Sequence, residues 1–377
     1  GQSSFGAWPW YMAQARPFVI PAALAAKYTG SDPIPFDEAI GSGPFTLTEW
    51  LPGNKVTYDR FDGYVPRTDP RSGLTGSREA FLDQILLLEV PDMNSRVAAL
   101  RTGQVDFSDI VGNDFKQQLE DDPNTVVVVI SPDHSPGAFI NKSIPPTNNV
   151  KALQAIQLSI NYADAMAAFG PPGTYLLGHQ VFVIGGAWDT QAGIAEVFED
   201  NTSFVPSEAM LAKARTLWQE ALDETGFTGP IELMNATDLP HYGSLLVMKE
   251  NMEAVGIEVD MPALDWATVA GRSSTECTWH LATTGWNAWD PISNPGFSDT
   301  WKCGWDNQEM FDMIDEFRAA ATAEEQQALI DQIQIEKIRS VPYIHFGQLN
   351  ALNVHRVEVK GYVGYLELSL DGLWLDR

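Results

Sequence analysis

The strongest constraint on this chain is a unit that occurs twice: an amphipathic helix, a glycine, then an extended segment. In the first copy Met210, Leu211, Ala214, Leu217, Trp218, Ala221 and Leu222 share one stripe of a helix running from Ser207 to Thr225. Ser207 stands at the capping position and Gly226 at the left-handed stop, ahead of Phe227. In the second copy Leu245, Met248, Met252 and Val255 repeat the stripe before Gly256-Ile257-Glu258-Val259 turns into a strand. The pattern continues downstream. Trp279 to Thr283 reads as a strand, and Thr322-Ala323-Glu324-Glu325 as a capping box ahead of a long helix to Ser340. Val341 to Phe346 reads as a strand, and Val354 to Tyr365 as the return of the chain toward its first half. Helices alternating with strands predict an α/β fold.

The first half of the chain carries the same signals in shorter pieces. Thr46 to Trp50 and Lys55 to Arg60 are strand-like, and Leu51-Pro52-Gly53-Asn54 between them suits a turn, which predicts a hairpin. Phe81 to Val90 alternates weakly as a strand. Asp92 caps a predicted helix from Met93 to Thr102, with Val97 and Leu100 on one face and Gly103 as its stop. Thr125 to Ile130 is a continuous β-branched run, the pattern of a strand covered on both faces. Asn149-Val150 opens a helix through Ile160.

Composition excludes several classes. At 377 residues two lobes are expected rather than one small core. A net charge of −27 argues against nucleic acid and against an anionic membrane surface, and it accounts for solubility, as in a salty medium. No apolar run approaches the roughly 18 residues that span a bilayer. Cys277 and Cys303 allow one disulfide in an oxidising compartment, or two buried thiols.

Several motifs together resemble one family. Gly41-Ser42-Gly43-Pro44-Phe45, followed by Trp50-Leu51-Pro52-Gly53 and by Phe61-Asp62-Gly63-Tyr64, is similar to the G-[ST]-G-P-[FY]…W-x-P-G…N-x-x-Y signature of extracytoplasmic solute-binding proteins of the peptide and nickel class, family 5. Leu100-Arg101-Thr102-Gly103-Gln104-Val105-Asp106 matches that family's L-x-x-G-x-V-D at every fixed position. Asn141, Pro145-Pro146, Ala155-Ile156, Ile160 and Asn161 fit its crossing between lobes, with Leu153 where an Arg is usual. The resemblance implies a two-lobed periplasmic binding protein-like clamp, class II and cluster C, with hinge crossovers. Its lobe I would hold residues 41–140 and 355–377, its lobe II 141–354, and 1–40 a remnant of the small subdomain of lobe I. Family members carry a long segment ahead of this span, so the chain reads as a C-terminal portion of an exported protein.

The ligand-binding residues follow from the same resemblance. Relatives carry a G-W-x-x-D segment facing the cleft, where the Trp packs on a peptide and the Asp pairs with its α-amino group. Here the segment reads Gly285-Trp286-Asn287-Ala288-Trp289-Asp290, so Trp286 matches while Asp290 is displaced by one and Trp289 takes its place. That exchanges an anion for a stacking surface. Trp266 falls where peptide-binding relatives place another cleft Trp. His134, Phe139 and Asn141 flank the first crossing and can touch a trapped ligand. The structural alternative is that Asn141 satisfies backbone groups and His134 caps a turn. His345 and His355 at the return crossing are read as structural.

No G-x-S-x-G elbow, H-E-x-x-H helix or phosphate-binding loop occurs. The six histidines form no i, i+4 pair, so no metal site and no cofactor are expected. The expected function is therefore not enzymatic. It is the periplasmic substrate-binding component of an ABC importer, a monomer that captures a peptide or related small solute and delivers it to the permease. An oligosaccharide or other aromatic-stacking solute is the alternative cargo, and a two-carboxylate glycoside hydrolase the remote one.

Overall fold

The computed structural model describes residues 20–28, 34–71, 76–199, 202–237, 239, 241–287, 303–304, 307–364 and 369–377, and for Ile110, Trp286 and Asn287 the backbone alone. The chain divides into two compact units. The middle unit holds Pro132–Asn350, and the N/C unit holds the described residues up to Ser131 together with Ala351–Arg377.

The N/C unit begins with the hairpin. β1 (Phe45–Leu51) pairs antiparallel with β2 (Lys55–Arg60) through a turn with Gly53 at φ 72°. β2 pairs in turn with β3 (Gln84–Leu88). Asp92 caps α1 (Met93–Thr102) by accepting from Ser95 N, and Gly103 closes it at φ 76°. Both come from the chemistry seen in the sequence: a short carboxylate for a free N–H, and a residue without Cβ for a left-handed stop. β4 (Phe107–Val111) follows. Val97, Leu100, Val111, Leu119, Leu352 and Val354 form this unit's buried cluster.

β5 (Thr125–Ile140) carries the chain into the middle unit. It is ten residues longer than the β-branched run, and that run is not covered on both faces, since Val126 and Val129 are 38% and 40% exposed. β-Branched residues favour extended backbone whether or not both faces are buried, so the run alone could not settle coverage.

The middle unit is a layered α/β structure. Its helices and strands are α2 (Val150–Ser159), α3 (Glu208–Thr225), β6 (Ile231–Ala236), α4 (Tyr242–Ala254), β7 (Val259–Asp260), α5 (Trp266–Thr275) and β8 (Leu281–Asn287). They are followed by α6 (Gln308–Ala319), α7 (Ala323–Ser340) and β9 (Tyr343–His345), and β10 (Gln348–Arg356) leads back into the N/C unit. The return to the N/C unit thus begins ahead of Val354, along β10. β8 pairs antiparallel with β5 and parallel with β6, and β6 pairs parallel with β7.

Strand alternation divides the core. Ile231, Leu233 and Leu281 face the cluster beneath α2, α3 and α4, where Met210, Ala214, Trp218, Ala221, Leu245, Met248 and Met252 are buried. Met234, Ala236 and Ala282 face the other side, against Val269, Trp279 and Cys303. Leu153, where the family usually has Arg, is buried in the first of these clusters. The cysteines resolve as a disulfide, Cys277–Cys303, with Cα atoms 5.3 Å apart. No helix among the described residues is long and apolar enough to cross a membrane.

One buried cation stands out. Lys337 on α7 is 3% exposed; its Nζ lies 3.4 Å from the His179 carbonyl and 5.4 Å from the Tyr343 ring centre. The same carbonyl accepts from Gln334 Nε2 at 3.0 Å, while Gln334 Oε1 accepts from Val181 N at 2.6 Å. Burial pushes the Lys337 ammonium down to about 7 from its ordinary 10.5.

Two predictions follow from these features. Between about pH 7 and 10.5 the unfolded chain binds a proton on Lys337 that the folded chain does not, so stability rises with pH across that window. The slope approaches about 1.4 kcal/mol per pH unit. Lys337→Met is expected to be more stable than the parent at pH 7 and to lose that rise, as read from urea unfolding at stepped pH. Replacing Cys277 and Cys303 by Ser opens a loop with a sequence separation of 26. The expected loss is about 3 kcal/mol, checked by urea unfolding without reductant.

Candidate functional site

The middle unit brings candidate residues together at the carboxyl ends of β6 and β8, two parallel strands. Open α/β sheets place ligands at such ends, because the loops that leave them are free to vary while the strands hold them in position. The β5–β8 ladder sets the register there: Gly285 lies opposite Pro136, Trp286 opposite Ser135, and Asn287 opposite His134. His241 stands at the N-terminal boundary of α4, after the end of β6.

His134 and His241 meet over Gly285. Their ring centres are 5.7 Å apart at an interplanar angle of 65°, and Phe169 packs edge-on against His241 at 5.5 Å. A Cβ on Gly285 would lie 3.0 Å from His241 Nε2 and 3.1 Å from His134 Cδ2. The approach is close: a side chain here would need the imidazoles to give way by a few tenths of an ångström. Gly285 itself is exposed.

The two histidines differ in electrostatic state. His134 is part-exposed, and its Nδ1 lies 2.8 Å from the Asp133 carboxylate. His241 is 9% exposed, and neither ring nitrogen has a hydrogen-bond partner. Burial, helped by the adjacent His134, pushes the His241 imidazole down to about 4, which keeps it neutral at ordinary pH. An unpartnered buried imidazole costs stability of order 1–3 kcal/mol. A fold retains such a group where something else repays it.

The other sequence candidates fall differently. His134 lies inside β5 rather than capping a turn, because the strand extends past the run that marked it. Phe139 is half-buried and packs against two apolar clusters. Asn141 is fully buried: Nδ2 donates to the Trp279 carbonyl at 2.7 Å, and Oδ1 accepts from Ser143 N at 2.9 Å. Trp266 opens α5 and is 40% exposed. The backbones of Trp286 and Asn287 are set by the register above, and their side chains lie outside the description. Trp289 and Asp290 lie outside the described residues. His345 is buried, and His355 Nδ1 lies 2.8 Å from the Arg356 carbonyl. Asp133, Phe169 and His241 escaped the sequence reading. The one available signal was His241 directly ahead of an amphipathic helix and just after a strand.

Among the described residues no group of three or more His, Cys, Asp or Glu side chains is placed to hold a metal ion. A shallow groove beside Glu253, Glu258 and Asp260 contains none of the candidate residues.

Comparison with known proteins agrees with this architecture. The model of the bacterial extracellular solute-binding proteins, family 5, matches residues 6–308, and the chain belongs to that family. It is 28% identical over 284 residues to a "Probable peptide ABC transporter periplasmic-binding protein" of Sinorhizobium fredii, covering 71% of this chain and 49% of that protein. It is 25% identical over 280 residues to the glutathione-binding protein GsiB of Pectobacterium atrosepticum, covering 73% of this chain and 49% of that one. The chain thus spans about half the length of these curated relatives. Among solved structures, the ABC transporter-associated periplasmic binding protein DppA from Helicobacter pylori, in complex with the peptide STSA, superposes with a TM-score of 0.69. Its identity is 18%, with 89% of this chain and 63% of that one covered. At that identity the likeness speaks for the fold.

His241→Phe is expected to raise the unfolding free energy by about 1 kcal/mol, because it removes two unpartnered buried nitrogens while keeping the ring contacts with His134 and Phe169. Urea unfolding at pH 7 checks this. An unchanged or lower stability would mean that the imidazole is satisfied in solution.

Proposed function

We propose that this chain is part of the substrate-binding component of an ABC importer, which captures a peptide or related small solute outside the cytoplasmic membrane and hands it to the permease. The observation that carries the reading is the family match over residues 6–308. The histidine notch at the carboxyl ends of two parallel strands supports it, as a place where side chains converge on open surface. In this reading the N/C unit serves as lobe I and the middle unit as lobe II of a class II, cluster C clamp, with β5 and β10 as the hinge crossovers. Trp266, Trp286, Asn287, Trp289, Asp290, His134 and Phe139 would line the lobe II side of the ligand site, with Asn141 as their support. The protein works as a periplasmic monomer, and the permease subunits read the closed state.

A peptide is the favoured cargo, because the relatives named above are described as peptide- and glutathione-binding proteins. Native mass spectrometry of the protein as purified, combined with titration of trialanine while tryptophan emission is followed, tests the reading. A discrete adduct of peptide mass, or a saturable emission change, is the expected result. An adduct of hexose mass would replace peptide by sugar as the cargo. Absence of any response across a peptide and sugar panel would overturn the binding role.

A further inference from the structure

We propose that the Cys277–Cys303 disulfide is a thiol-addressable clamp on the stretch of chain that leaves β8. Closed, it fixes where that stretch returns to the sheet; opened by a dithiol, it lowers affinity for the captured solute while the fold persists. This rests on the peptide reading above and adds to it a chemical control of the same site.

The bond lies where three parts of the middle unit meet. Cys277 stands just after α5 and ahead of β8, and the chain beyond β8 comes back to Cys303. The disulfide therefore closes a ring that contains all of β8, with the Cα atoms of its two ends 5.3 Å apart. The third part is the chain just past β5. Asn141 N donates to the His280 carbonyl at 2.9 Å and Asn141 Nδ2 to the Trp279 carbonyl at 2.7 Å, while Lys142 N donates to the Cys303 carbonyl at 3.0 Å. The outgoing limb is thus held by Asn141 and by the ladder with β5, whatever the state of the sulfurs. The returning limb, at Cys303, depends on the disulfide for its covalent tie and otherwise on the Lys142 bond and apolar burial. A chain stretch fixed at both ends loses less freedom when a ligand orders it, so opening one end costs affinity.

The two sulfurs differ in access. Cys303 is fully buried among Met234, Ala236, Val269 and Trp279, whereas Cys277 is half-buried. A thiolate from solution therefore attacks Cys277 Sγ. A new S–S bond forms between the reagent and Cys277, the Cys277–Cys303 bond breaks, and Cys303 departs as a thiolate that takes up a proton. The second thiol of the dithiol then displaces Cys277 and closes the reagent's own disulfide. The protein gains two electrons and two protons, and the dithiol loses them. The released Cys303 thiol has an acceptor in place: its Sγ lies 3.3 Å from the Glu276 carbonyl, which also accepts from Trp279 Nε1 at 2.7 Å. The reduced junction is therefore satisfied without rearrangement.

The test is isothermal titration with trialanine of the oxidised parent, the parent reduced with dithiothreitol, the same sample reoxidised with diamide, and the double variant Cys277→Ser, Cys303→Ser. Circular dichroism at the assay temperature reports folding, and residue-resolved hydrogen–deuterium exchange at Lys142 reports the returning limb. The expected result is about a tenfold weaker affinity in the reduced parent and in the double variant, with reoxidation restoring the parent alone. Exchange at the Lys142 amide is expected to quicken about tenfold on reduction, with the Asn141 amide unchanged. Equal affinity in oxidised and reduced protein would overturn the clamp while leaving the peptide reading intact. Unchanged exchange at Lys142 would overturn it too, since the returning limb would then not depend on the bond. Unfolding on reduction would overturn it in favour of a purely structural disulfide. A folded, oxidised parent that does not bind trialanine would overturn the peptide reading, and the control of affinity with it.

Discussion

The structure depends above all on the backbone ladder between β5 and β8. Seven consecutive residue pairs, from Leu281 opposite Ile140 to Asn287 opposite His134, set which side chains face which layer. The side-chain period of a strand is two, so a slip of one residue would turn Leu281 and Ala138 out of the helix-covered core and move His134 away from His241. The ladder is held at its Leu281 end by apolar burial beneath three helices. At its other end it carries no such load, and there the glycine and the two imidazoles sit.

Buried polar groups in the middle unit fall into two kinds. Asn141, Gln334 and Gln348 are satisfied: each spends its side-chain amide on backbone groups of a neighbouring segment, holding irregular chain against the sheet. Such networks specify geometry because each lost bond would leave a buried group unpaired. His241 is of the other kind, with both nitrogens unmatched at the rim of the sheet. Ser135 Oγ, Gln180 Oε1, Asn235 Oδ1 and Thr283 Oγ1 in the same unit are likewise unmatched.

Much of the architecture was legible because local signals were strong and mutually consistent. The caps at Asp92, Ser207 and Thr322 act as read, with Thr322 and Glu325 forming a reciprocal capping box. The stops at Gly103 and Gly226 are left-handed. These features are short-range, and the chemistry of a free N–H or a positive φ decides them whatever packs nearby. Strand extents were less legible. β5 runs on through Pro132, His134 and Pro136, residues of poor or neutral strand preference, because pairing with β8 supplies the ladder that propensity lacks. β10 likewise starts at Gln348, among polar residues whose burial only the sheet accounts for.

The sequence by itself determined the α/β class, the boundaries of the helices at Met93–Thr102, Glu208–Thr225 and Ala323–Ser340, the family and the segment around Gly285 as a place to look, since all of these rest on periodicity, capping chemistry and short motifs. Tertiary structure alone decided that Cys277 and Cys303 pair, that Lys337 is buried against a carbonyl, and that His134 and His241 share one notch. The reason is separation along the chain. His134 and His241 are brought together only by the ladder joining β5 to β8 and the parallel pairing of β8 with β6, and neither contact leaves a mark on the residues beside them.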